Sequence, residues 1–243
     1  MTVQPTLMLI ADIAGYTRFM KLHYMSLIHA QDIVAKLLEA IIDAASPALK
    51  LAKLEGDAAF FYLPGPPTGT FDPELVARQA AQIYRAFHAR AADVRTNTIC
   101  LCDGCQQAGD LKIKLVGHVG EVAVQKVKQM TELAGVDVIV VHRMLKNTVP
   151  VPEYLLVTQP VYDAMDPTMR EQAAAFDLDL DDLGPKAAYY LDLQRFCEAL
   201  PPAQKLPFST RVRRHMQMLG RTLPYMLGRK KACGDFRNVP GAA

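Results

Sequence analysis

A chain of 243 residues that is 51% hydrophobic and 21% charged can bury a core without disulfide or metal staples, which excludes a disordered chain and a disulfide scaffold. Its net charge of +2 names neither nucleic acid nor membrane as the partner of the whole chain, and it has no run of about 18 apolar residues to span a bilayer. Five cysteines, an odd number, speak for reduced thiols or metal ligation, and Met1-Thr2-Val3-Gln4-Pro5 lacks a basic, apolar leader, so a cytoplasmic chain is expected.

Residues 7–13 form a near-continuous apolar run, which predicts a strand covered on both faces. Apolar residues recurring at three and four over 26–51 predict a long helix, disturbed near its end by Pro47. Residues 49–54 and 58–63 predict two strands joined by the tight turn Glu55-Gly56-Asp57, a hairpin with Asp57 at its tip. After a Pro/Gly loop, Asp72-Pro73-Glu74 opens a helix to about residue 92, with Asp72 as its N-cap.

Residues 111–119 and 122–127 predict a second pair of strands around Gly120-Glu121, followed by a helix over 136–146 that Pro150 and Pro152 stop. A strand at 154–158, a short helix at 160–165 and a last strand at 187–193 complete one mixed α/β sheet domain, residues 1–199, with a cysteine-containing loop at 96–110. Pro201-Pro202 and Pro207 lead into a tail, 200–243, whose stretch 208–227 is amphipathic, basic, and interrupted by Gly220 and Pro224.

Asp12 and Asp57 each stand at the end of an apolar strand, beside Gly15 and Gly56. Two carboxylates on rigid strands can hold divalent cations, which take oxygen ligands and share substrate phosphates. A single such Asp reads first as a helix N-cap or turn residue; the recurrence of the pattern, with a Lys near the second, favours the metal site.

These residues carry a family resemblance. Asp12-Ile13-Ala14-Gly15-Tyr16-Thr17, Lys53-Leu54-Glu55-Gly56-Asp57 and Val119-Gly120-Glu121-Val122 resemble three motifs of the class III nucleotidyl cyclase catalytic domain, in the family's order, over residues 7 to about 193. The resemblance implies an α+β fold, a mixed and largely antiparallel sheet flanked by helices in the ferredoxin-like cyclase architecture. It further implies that Asp12 and Asp57, with the Ile13 carbonyl, hold two Mg²⁺ or Mn²⁺ ions, and that Lys53 reads the base, with Lys the adenine-type choice.

In the fourth family motif, aligning Gly135 puts Glu132 at a base-reading position, Ile139 where the family has a stabilising Asn, and Arg143 at the stabilising Arg. Asn147 lies one helical turn beyond Arg143 and is a substitute donor, and His142 is another. By the same resemblance the active site is composite across a homodimer, Asp12 and Asp57 of one copy facing Lys53, Glu132 and Arg143 of the other. The reaction implied is conversion of a nucleoside triphosphate, ATP favoured, to a 3′,5′-cyclic nucleotide and pyrophosphate by two-metal catalysis. The rival is a degenerate regulatory or scaffold module that binds nucleotide and metal without turnover, which Ile139 favours.

Cys100, Cys102 and Cys105 sit in a polar loop, and their spacing fits a structural Zn²⁺, a plain reduced loop or a redox switch. The tail from Phe208 to Lys231 holds seven basic residues and no acid, which suits a peripheral membrane surface, a protein partner, or packing on its own domain. No nucleic-acid-reading motif accompanies that charge, so nucleic acid is not expected as a partner.

Overall fold

A computed structural model describes residues 2–22, 27–66, 71–72, 74–100, 105, 107–128, 130–180, 183–197, 200–227 and 229. Eight strands form one sheet: β1 (Thr2–Ala14), β2 (Lys50–Glu55), β3 (Ala58–Pro64), β4 (Lys112–Val127), β5 (Met130–Ala134), β6 (Tyr154–Thr158), β7 (Ala174–Leu180) and β8 (Gly184–Asp192). Their order is β2-β3-β1-β4-β6-β8-β7, with β5 pairing onto β4. Only the β4–β6 pair is parallel, so the sheet is mixed and largely antiparallel, and the fold is α+β as expected. The helices are α1 (Tyr16–Leu22), α2 (Leu27–Ala45), α3 (Leu75–Asn97), α4 (Val136–Arg143), α5 (Gln159–Asp163), α6 (Pro167–Gln172), α7 (Leu193–Phe196) and α8 (Phe208–Met226).

The chain divides into two compact units. The first, Met1–Ala14, Leu38–His88 and Lys112–Leu200, contains the whole sheet. Met8, Ile10, Phe60, Val116 and Leu156 project from neighbouring strands against Val140, Val141 and Met144, so the apolar side of α4 is buried on the sheet. The second unit, Gly15–Leu37, Ala89–Leu111 and Pro201–Ala243, is helical among its described residues.

The expected pair of strands around Gly120-Glu121 is instead one strand, β4. Its partner β1 runs back to Thr2 and stays in register across the glycine, with Thr6 opposite Gly120 and Thr2 opposite Val124. The reversal comes later, at Lys128, which takes a left-handed φ of 57° before β5 returns. A Cβ at Gly120 would overlap the Asp137 carboxylate, so the glycine marks a close approach and not a turn.

Asp137, in the first turn of α4, accepts the Glu121 amide at 2.7 Å and lies 3.0 Å from His118 Nε2. The other His118 ring nitrogen lies 2.7 Å from Thr158 Oγ1. Burial holds the His118 pKa below the ordinary histidine value despite Asp137. Beta4, α4 and β6 are thus fastened at one buried point.

The 55–57 turn holds as expected, with Gly56 at φ +69°, a conformation that a side chain disfavours. Asp72 accepts the Glu74 amide at 3.0 Å and pairs with Arg78 at 2.8 Å at the head of α3; Pro73 lies outside the described residues. The strand β7 was not expected, and α8 runs unbroken through Gly220 and Pro224, where the sequence predicts interruption.

Glu153 is fully buried and holds the start of β6. It accepts the Ile113 amide at 3.1 Å and the Gln194 side chain at 2.9 Å, with His88 Nε2 at 2.6 Å. Burial raises its pKa, but the hydrogen bonds from His88 and Gln194 outweigh that and hold it below the usual carboxylate value. Glu153→Gln keeps the shape and removes the charge, and is expected to lower unfolding free energy by about 1–3 kcal/mol, read by denaturant titration.

Candidate functional site

Register across the sheet builds the site. Glu55 pairs with Ala58, Ala58 with Asp12, Asp12 with Lys114, and Lys114 with Tyr154, one residue from each of five strands. Residues directly opposite one another on neighbouring strands share a face, so Glu55, Asp12, Lys114 and Tyr154 lie in one row on the face that α4 covers. Asp57 stands one residue before Ala58 at the hairpin tip, and its carbonyl accepts the Ile13 amide at 3.2 Å, tying that tip to the end of β1.

The structure brings Asp12, Ile13 and Asp57 into one local cluster. Burial pushes the Asp12 carboxyl from 3.8 up to about 6; the charge of Asp57 adds to the rise and that of Lys114 opposes it. Burial raises Asp57 as well. Two carboxylates that resist ionising side by side form a donor set short of positive charge, and its hard oxygens suit a divalent cation.

Lys114 and Tyr154 join this cluster without any signal of their own in the sequence. The Lys114 ammonium lies 5.8 Å from the Tyr154 ring centroid. The Tyr154 hydroxyl donates to Asn147 Oδ1 at 2.8 Å, and burial, together with the Asp12 charge, raises its pKa. Asn147 also accepts the Val149 amide at 3.1 Å and donates to the Met144 carbonyl at 2.7 Å. Its amide is engaged in closing the turn after α4 and in holding Tyr154, which is a positioning task.

Lys53 pairs with Glu55 on its own strand at 2.7 Å, and His142 Nδ1 lies 3.2 Å from the other Glu55 oxygen. The His142 ring packs edge-on to Phe60 with centroids 5.0 Å apart, and burial lowers its pKa although Glu55 opposes the shift. Glu132 lies on β5 opposite Gln125, and Arg143 is the last residue of α4, half-buried. Ile139, on the same helix, is 49% exposed.

Cavities of about 320 Å³ and about 620 Å³ are lined by other residues, and neither includes Asp12 or Asp57. Cys105 is buried and Cys100 half-buried, while Cys102 lies outside the described residues. Among the described residues no group of three or more His, Cys, Asp or Glu side chains is gathered to hold a metal.

Comparison with known proteins agrees with this geometry at the level of fold. The guanylyl cyclase domain of the RhoGC fusion protein from the fungus Blastocladiella emersonii superposes with a TM-score of 0.56 at 15% identity, covering 79% of this chain and 98% of that one. A class III adenylyl cyclase-like ATP-binding protein from Pseudomonas aeruginosa gives 0.57 at 18% identity, over 70% of this chain and 36% of that one. The fold is thus that of the adenylyl and guanylyl cyclase domains.

A family model described as a protein of unknown function (DUF2652) matches residues 34–154. In sequence, the uncharacterized protein Rv2561/Rv2562 of Mycobacterium tuberculosis is 44% identical over 207 residues, 85% of this chain and 94% of that protein. The chain belongs to the family of Rv2561/Rv2562, built on a cyclase-like fold.

Proposed function

We propose that this chain is a nucleotidyl cyclase acting as a homodimer, which binds a nucleoside triphosphate, ATP favoured, and releases a 3′,5′-cyclic nucleotide and pyrophosphate. The observation that carries this is the pairing of Asp12 and Asp57 at one end of the sheet, with Asp12 pushed to about 6 by burial and by its neighbour's charge. Asp12 and Asp57, with the Ile13 carbonyl beside them, would hold Mg²⁺ or Mn²⁺. When bound, such ions stabilise charge on both the entering 3′-oxygen and the leaving phosphate oxygen.

The side chains of this chain do the rest. Lys114 stands across the strand pair from Asp12 and limits the repulsion between the two acids. Lys53 is offered as the base-reading donor; its present partner Glu55 is an exposed ion pair, worth about 0–1 kcal/mol, so exchanging it for a purine nitrogen is cheap. Lys53, Glu132 and Arg143 would act from the second copy, the first two on the base and Arg143 on the phosphate charge.

A second reading, binding without turnover, is favoured by the exposed apolar Ile139 on α4 and by the likeness to an adenylyl cyclase-like ATP-binding protein. One experiment separates them: purified protein is incubated with each of the four nucleoside triphosphates and Mg²⁺ or Mn²⁺, and cyclic nucleotide and pyrophosphate are measured beside calorimetric binding, with Asp57→Ala as control. Product that the variant does not form supports the cyclase. Binding without product supports the second reading, and absence of both overturns the two together.

A further inference from the structure

Helix α8 is held to its own unit by polar contacts, and four large apolar side chains at its described positions face solvent. Arg211 donates from Nη2 to the Thr98 carbonyl at 3.1 Å and from Nε to the Asn97 carbonyl at 3.4 Å, capping the C-terminal end of α3. Arg214 pairs with Asp93 at 3.1 Å, and Asn97 accepts the Leu206 amide at 2.8 Å just before the helix begins. Phe208, Met216, Leu223 and Leu227 are 71%, 60%, 49% and 59% exposed. The Leu227 amide still bonds the Leu223 carbonyl at 3.0 Å, so all four follow one helical path.

At about 100° per residue these four side chains fall within about 100° of one another around the helix axis, a single stripe about five turns long. Exposed Arg213 lies about 40° beyond its edge. A stripe of large apolar side chains left in water marks an interaction surface. The flanking charge says which: residues 208–231 carry seven basic side chains and no acid. A second copy would bring an equally basic helix against this one, whereas a bilayer bearing anionic headgroups takes both the stripe and the charge.

We propose that α8 docks in the plane of an anionic lipid surface, with Phe208, Met216, Leu223 and Leu227 entering the headgroup boundary and the exposed Arg213 and Arg229 meeting lipid phosphates. The contact is peripheral, since no described helix is long and apolar enough to cross a membrane. It is independent of the nucleotide chemistry proposed above.

The test sediments the full chain with phosphatidylcholine vesicles, with and without phosphatidylglycerol. Binding is expected only with phosphatidylglycerol and to weaken as salt is raised. Met216→Glu with Leu223→Glu, both at exposed positions, should reduce it roughly tenfold or more while leaving the thermal melt in place. Asp57→Ala should bind vesicles like the natural chain, which separates this proposal from the fate of the cyclase reading. Equal binding to neutral vesicles, or undiminished binding by the folded double variant, overturns it. A dimer that the double variant dissociates, with no vesicle binding, assigns the stripe to a second copy and overturns it equally.

Discussion

Asp12→Asn is expected to lower cyclic nucleotide formation on the order of 10³-fold or more and, in the absence of divalent cations, to make the protein more stable above pH 6. Both effects come from one cause. The carboxyl of Asp12 is raised from 3.8 to about 6 in the fold, first by burial and then by Asp57. Between those two values the folded chain binds a proton that the unfolded chain has released, so stability falls as pH rises through that window and stays low above it.

Below about pH 4 both states hold the proton and the penalty vanishes. The full shift would be near 3 kcal/mol, and solvent screening at a half-buried group reduces it to about 1–2 kcal/mol. Asn cannot ionise, so the variant should lose Asp12's share of the slope between pH 4 and 6, while that of Asp57, also raised by burial, remains. Mg²⁺ or Mn²⁺ should raise the melting temperature of the natural chain at pH 8 and leave the variant unmoved, because a cation bound only by the folded state stabilises it by mass action. A natural chain whose stability is flat from pH 4 to 8 and indifferent to cation would remove the basis for a metal site at Asp12.

What the sequence disclosed follows from the range of the forces involved. Asp12 and Asp57 were legible because each ends an apolar run beside a glycine, and the Glu55-Gly56-Asp57 turn is chemistry of three adjacent residues. Lys114 and Tyr154 were not, because only strand register brings them beside Asp12, and register is decided by pairings 40 residues and more apart.

Gly120 misled for a related reason. In sequence Gly-Glu between apolar runs is turn chemistry, but here the glycine makes room for Asp137, which arrives from another element. Beta7 carries the alternation of a half-buried strand in Phe176, Leu178 and Leu180 against Asp177 and Asp179, a signal the sequence reading did not use. Gly220 and Pro224 read as breakers on local propensity, yet α8 passes through both.

The same distinction between local and assembled chemistry bears on Ile139. The resemblance puts a stabilising amide at this position, and Asn147, one turn past Arg143, looks in sequence like its replacement. In the fold the Asn147 amide is taken by Tyr154, Val149 and the Met144 carbonyl, so it holds the floor of the site and is not offered to a ligand.

Ile139→Asn should therefore raise turnover by about 10²-fold, the reverse of what removing a preorganised donor to developing charge costs. The side chain is 49% exposed, outside the packed side of α4 formed by Val140, Val141 and Met144, so the exchange should move unfolding free energy by no more than about 0.5 kcal/mol. Because the new donor meets charge that exists chiefly in the transition state, the gain belongs in kcat with KM little changed. Initial rates of cyclic nucleotide formation against triphosphate concentration measure it. A variant that folds, binds triphosphate as the natural chain does and turns over no faster would mean that position 139 does not face the reacting phosphate, and would leave binding without turnover as the better account of this site.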